Sequence, residues 1–169
     1  MKKIALFLVL IFVLCIFCAC DPKPKNDGNN NNCQDDGLTS DSNSQNDQEI
    51  TKMYITIYGN KLEVALCDNS SVKALVQLLK QGDITYTAND YGGFEKVGNI
   101  GHSLPQNNTP INTEAGDVIL YEGNKLCLYY DNNSWNFTRI GKINGYTTNE
   151  LRNLLGAGKG SVEVTISLK

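Results

Sequence analysis

Three hydropathy regimes divide the chain: Ile4 to Ile16 are almost wholly apolar, positions 21 to 50 offer scarcely a side chain to bury, and from position 51 apolar and polar residues recur with structural periods. Met53 to Tyr58 and Lys61 to Cys67 alternate around Gly59-Asn60, which predicts an antiparallel hairpin with a two-residue turn. Asp68-Asn69-Ser70 supplies capping side chains ahead of Val72, Leu75, Val76 and Leu79, the spacing of one helical face, and that helix should stop near Gln81-Gly82. Ile84 to Ala88 reads as a strand and Phe94 to Val97 as a weaker one, before a Gly-, Asn- and Pro-dense stretch from Asn99 to Asn112 that marks a long surface loop. Asp117 to Tyr121, Lys125 to Tyr130 and Phe137 to Ile143 are three further strands, the first two joined across Glu122-Gly123-Asn124. Thr147 and Glu150 have capping-box spacing ahead of Leu151, Leu154 and Leu155, with Gly156 placed to stop the helix, and Ser161 to Leu168 ends the pattern as a strand.

Seven or eight short strands and two short helices predict a mainly β fold. A closed antiparallel barrel is the leading expectation, because closure removes exposed edges from a small domain; an open sheet covered by the helices is the alternative.

The N-terminal regimes change the picture from a plain domain to an anchored one. Lys2 and Lys3 precede the apolar run, which ends in Phe17-Cys18-Ala19-Cys20, the layout of an export signal. A lipoprotein signal needs a small residue before the cysteine that receives lipid. Ala19 meets that need for Cys20, whereas Cys15 follows Leu14 and Cys18 follows Phe17. The apolar run falls short of the ~20 residues that a spanning helix prefers, and an acidic tract follows it. The expected organisation is a signal over residues 1–19, a lipidated Cys20 opening a disordered polar tether through residue 50, and a folded domain over residues 51–169. Such a tether would have an end-to-end distance on the order of 30 Å. The membrane is then a partner through the lipid, and the domain faces the extracytoplasmic side.

Charge narrows the partners. The tether carries two lysines against seven acids, while residues 51–169 hold eleven charges of each sign. A neutral domain with only Arg139 and Arg152 as arginines has no basic stripe for phosphates, which argues against nucleic acid. Of six cysteines, Cys67 and Cys127 fall in the domain; each lies in an apolar run, where a buried free thiol is the expectation and a bridge between the two the alternative. His102 is the only histidine and no HxH, HExxH, CxxC or EF-hand spacing occurs, so no metal or cofactor is expected. Gly156 to Ser161 lacks Walker spacing and leads from a helix into a strand, which reads as a helix stop and turn.

The runs Ala115-Gly116-Asp117-Val118-Ile119-Leu120-Tyr121, Asn124 to Tyr130, Ser134-Trp135 and Phe137 to Ile143 resemble bacterial cyclophilin-like proteins. The resemblance extends through Tyr91 to Val97 and Ser103-Leu104-Pro105 to Gly160-Ser161-Val162-Glu163-Val164, and so covers nearly all of residues 53–168. It implies an eight-stranded barrel capped by helices, as in the prolyl isomerases called cyclophilins, without transferring their activity. Those enzymes place an arginine from a Phe-His-Arg run beside an apolar proline pocket. The match in this chain is Phe94-Glu95-Lys96, where a hydrated point charge stands in place of a planar guanidinium. Trp135 resembles the tryptophan preceding the last core strands, and Phe137 falls near the place of a pocket histidine.

The candidate groove is therefore Phe94, Lys96, Tyr121, Leu128, Trp135, Phe137 and Arg139, with simple core packing or surface exposure as the competing reading for each. The functional expectation is a lipid-anchored module that binds a peptide or small ligand without catalysis. Two alternatives stay open: a prolyl isomerase for exported proteins using Lys96 or Arg139, and an accessory domain for a flavodoxin-like redox partner, as the associations of similar proteins imply.

Overall fold

In a computed structural model, which describes residues 49–169, the expected hairpin opens the domain as β1 (Lys52–Ile57) and β2 (Asn60–Leu66). The signal, Cys20, Cys33 and the tether through residue 48 lie outside the described residues. The turn sits one residue earlier than the pattern suggested: Ile57 faces Asn60, and Tyr58 and Gly59 both take positive φ, 48° and 76°. A tyrosine seldom adopts that conformation. Its ring is seated against Gly156, where an added Cβ would lie 2.3 Å from a ring carbon, so a distant contact selects the turn.

Helix α1 (Ser70–Leu79) follows as expected, with the Asn69 side chain accepting from the Val72 N–H at 2.9 Å and Val72, Leu75, Val76 and Leu79 buried. Strands β3 (Ile84–Tyr91) and β4 (Glu95–Asn99) come next, each running beyond its apolar signal. The stretch read as one long loop contains a strand, β5 (Thr109–Thr113), mostly exposed and paired only with β8 (Asn133–Ile143). Pro110 is compatible with that edge position and disguised the strand. Strands β6 (Asp117–Tyr121) and β7 (Lys125–Tyr129) are nearly continuous buried runs, the mark of strands covered on both faces. Helix α2 (Thr148–Leu154) carries the expected capping box, in which Glu150 accepts from the Thr147 N–H at 2.7 Å, and β9 (Val162–Ser167) completes the described strands.

The pairings run β2-β1-β9-β3-β4-β7-β6-β8-β5, and β2 also pairs with β8 through Val64 opposite Ile143. The described residues thus form a mainly β domain of nine strands and two helices, one strand more than the upper expectation, the addition being β5. The main core gathers Met53, Ile55, Val64, Leu128, Ile140, Ile166 and the buried faces of both helices. A second, smaller cluster lies on the other face of β4, β6, β7 and β8 around Ile119, Cys127, Tyr129 and Phe137. A bulge in β8 sets the boundary: Arg139 faces Ile119 and Gly141 faces Val118, so Ile140 is the extra residue and is buried in the main core.

The cysteine expectation needs correction at one position. Cys127 is a buried free thiol, but Cys67 is disulfide-bonded, so the two do not pair and the partner of Cys67 lies outside the described residues. Cys67 follows β2 beside the incoming chain, where the Leu66 N–H donates to Thr51 at 2.8 Å.

Candidate functional site

Strand alternation builds a cavity over the smaller cluster. Glu95 faces Tyr129 across β4 and β7, Val97 faces Cys127, and Cys127 faces Ile119 on β6, so these side chains share one face of the sheet. Phe137 and Trp135 arrive from β8, Tyr121 from the end of β6 and Tyr91 from the end of β3. Together they line an open cavity of about 520 Å³. Its rings meet at steep angles: Tyr129 and Phe137 lie 6.0 Å apart at 62°, and Tyr121 and Phe137 6.2 Å apart at 72°. Trp135 and Tyr91, 65% and 63% exposed, stand as large aromatic side chains at the mouth.

One acid is buried in this wall. Glu95 is 6% exposed, and its Oε2 has no hydrogen-bond partner. Burial pushes the Glu95 carboxyl above its ordinary value, while the Tyr129 hydroxyl and Cys127 thiol act in the opposite direction. Burial in turn pushes the Cys127 thiol well up, reinforced by Glu95, so this cysteine is not poised as a nucleophile. The cation in the lining, Lys125, pairs with Glu122 and lies 5.4 Å from the centre of the Tyr121 ring.

Of the residues singled out from sequence, Tyr121, Trp135 and Phe137 line the cavity. Phe94 stands behind it, stacked on Tyr129 at 5.9 Å with ring planes 7° apart. Leu128 and Lys96 face each other on the opposite side of the sheet, both fully buried. Lys96 Nζ lies 2.8 Å from Asp90 Oδ1 and donates to the Gly160 carbonyl at 2.6 Å. Asp90 also accepts from Tyr130 Oη at 3.0 Å and from the Gly160 N–H at 2.6 Å, which ties β3 and β4 to the loop before β9. Arg139 Nη2 lies 3.2 Å from Asp117 Oδ2, and Lys142 Nζ lies 3.0 Å from Asp117 Oδ1, a cluster outside the cavity lining. Neither cation considered for catalysis reaches the cavity.

Sequence reasoning missed Glu95, Cys127, Tyr129 and Tyr91 as wall residues. Strand alternation sets Glu95 and Lys96 on opposite faces but does not say which of the two faces the cavity.

The sequence matches the cyclophilin-like family over residues 55–167. The chain belongs to the cyclophilin-like family. Its fold is also that of solved structures of low sequence identity. The hypothetical protein AF2241 from Archaeoglobus fulgidus is 17% identical with a TM-score of 0.53, the match covering 74% of this chain and 100% of that one. McbB, solved in complex with tryptophan, is 16% identical with a TM-score of 0.51 over 68% of this chain and 44% of McbB. Among curated proteins, no relative matches the chain.

Proposed function

We propose that this cyclophilin-like chain is a lipid-anchored, extracytoplasmic binding module that holds a peptide or small ligand in the aromatic cavity, without prolyl isomerase activity. The observation that carries the reading is the makeup of the cavity: five aromatic side chains line it, while Lys96 lies on the opposite face of the sheet with Asp90 and Arg139 is held by Asp117 outside the lining. An apolar, largely preformed hollow with few polar groups is the usual form of a small-ligand site. The pairing of β2 with β8 supports reading the sheet as a closed eight-stranded barrel with β5 appended, which gives the cavity a stiff floor.

The disulfide at Cys67 favours the extracytoplasmic placement, since such bonds persist in oxidising compartments. With Cys15 and Cys18 leaving with the signal and Cys20 lipidated, Cys33 is the cysteine left to bond Cys67. Mass mapping of the mature chain without reductant should find a diacylglyceryl group on Cys20 and a linked Cys33–Cys67 peptide. An unmodified Cys20 would remove the anchor from this reading.

Trp135 is the only tryptophan, so its emission reports on the cavity mouth alone. Capped peptides and small aromatic compounds titrated into the full chain should include some that shift that emission saturably, with Phe137→Ala weakening the response. A folded chain whose Trp135 answers none of them would refute the binding reading.

A further inference from the structure

Glu95 sets the chemistry of the occupant. The buried acids elsewhere in the domain have cations: Asp117 has Arg139 and Lys142, and Asp90, half shielded, has Lys96. Among the buried acids of the described residues Glu95 is the exception in having no ion pair, and its Oε2 has no hydrogen-bond partner. A charge taken out of water is costly unless a counter-charge and hydrogen bonds replace the solvent. The cavity that holds this acid is lined by aromatic rings, whose faces attract cations through their quadrupoles and have no such attraction for anions. Tyr121, Tyr129, Trp135 and Phe137 line the same cavity as Glu95. Lys125 cannot serve as the internal partner while its ammonium is held by Glu122 over Tyr121. The exposed Tyr91 and Trp135 have unspent surface at the mouth to cover a guest.

We propose that the cavity binds a small organic cation, a protonated amine on an apolar or aromatic body, with the ammonium at the Glu95 carboxylate and the body among Tyr121, Tyr129, Trp135 and Phe137. This rests on the binding reading above and names its ligand class. The ammonium supplies the hydrogen bond and the charge that Oε2 lacks, and the cavity volume suits an arylalkylamine with room for a larger body.

The pH behaviour follows from the groups facing Glu95. These are Tyr129 and Cys127 on β7, Tyr121 on β6 and Tyr91 on β3, with the Glu122–Lys125 pair at the rim. Burial raises the tyrosine hydroxyl of Tyr129 and the thiol of Cys127, so both stay neutral while Glu95 titrates. Because Glu95 itself is raised, amine affinity should climb as pH rises through its folded titration, above the ordinary 4.5, and then level off.

The test compares 2-phenylethylamine with its neutral counterpart 2-phenylethanol on the full chain, read by Trp135 emission and calorimetry. The amine is expected to bind about tenfold tighter or more, the usual worth of a charge-assisted hydrogen bond. Glu95→Gln, which keeps the shape of the side chain, should reduce that preference to about twofold and abolish the pH dependence, while raising the thermal midpoint of the unliganded chain at neutral pH because a buried charge is gone. Equal binding of amine and alcohol, or a preference that survives Glu95→Gln, would overturn the cation assignment and leave the binding reading standing. Silence of Trp135 toward every probe, with circular dichroism showing the chain folded, would overturn both.

Discussion

Asp90→Ala should destabilise the domain by about 3 to 5 kcal/mol, the cost of leaving a buried charge without its partner. The stranded group is the Lys96 ammonium, fully enclosed between the sheet and the loop before β9, with the Gly160 carbonyl as its remaining acceptor. The reciprocal change is milder. Lys96→Met leaves the Asp90 side chain 21% exposed and still accepting from Tyr130 and the N–H groups of Gly158 and Gly160. Met also fills much of the vacated volume. Denaturant unfolding of the two variants should therefore rank Asp90→Ala well below Lys96→Met in stability, and the reverse ranking would mean that the network does not carry the charge as drawn.

The same pair gives the pH dependence of stability. Burial alone would raise the Asp90 carboxyl, but Lys96, the Gly160 N–H, Tyr130 and the Gly158 N–H together hold it below the ordinary 3.8. A depressed carboxyl stabilises the fold above its unfolded value and loses that contribution as pH falls through the folded value. Acid unfolding of the natural chain should thus steepen below about pH 3.8, and Asp90→Asn should blunt that steepening.

Much of the fold was legible because local signals and tertiary packing agreed. Asn69 before Val72 and Thr147 before Glu150 are caps in sequence and in space, and Asp117–Tyr121 occupies the predicted bounds. Where they disagreed, contact at a distance decided. Tyr58 takes its turn conformation against Gly156, and β5 exists because Ile111 finds Trp135 across the sheet edge, despite the surrounding loop signals. The aromatic half of the cavity was readable from Tyr121, Trp135 and Phe137, since the resemblance to cyclophilin-like proteins points to those strands. Its acidic half was not, because a lysine beside a glutamate invites the cation to be placed in the site. Only the register of Glu95 with Tyr129 and of Lys96 with Leu128 reveals which charge faces the cavity and which is spent inside the fold.

That division of charges bears directly on catalysis. Rotation about an X-Pro bond is limited by a barrier of about 18 to 20 kcal/mol, and an enzyme must bind the twisted amide better than either planar form. A donor held at the proline nitrogen would do so as resonance is lost, and each 1.4 kcal/mol or so of selective stabilisation is worth about tenfold in rate. Lys96 lies on the opposite face of the sheet, Arg139 is committed to Asp117, and Glu95 as a carboxylate can only accept. The cavity can hold an apolar residue without favouring its transition state.

The most direct measurement is proline isomerisation by the full chain at high concentration, on several capped X-Pro peptides, with Lys96→Met and Arg139→Ala beside the natural protein. A binding module gives no acceleration from any of the three when each is verified as folded. Acceleration by the natural chain that falls with Arg139→Ala or Lys96→Met would place that cation at the reacting amide and contradict the assignment of both to buried ion pairs.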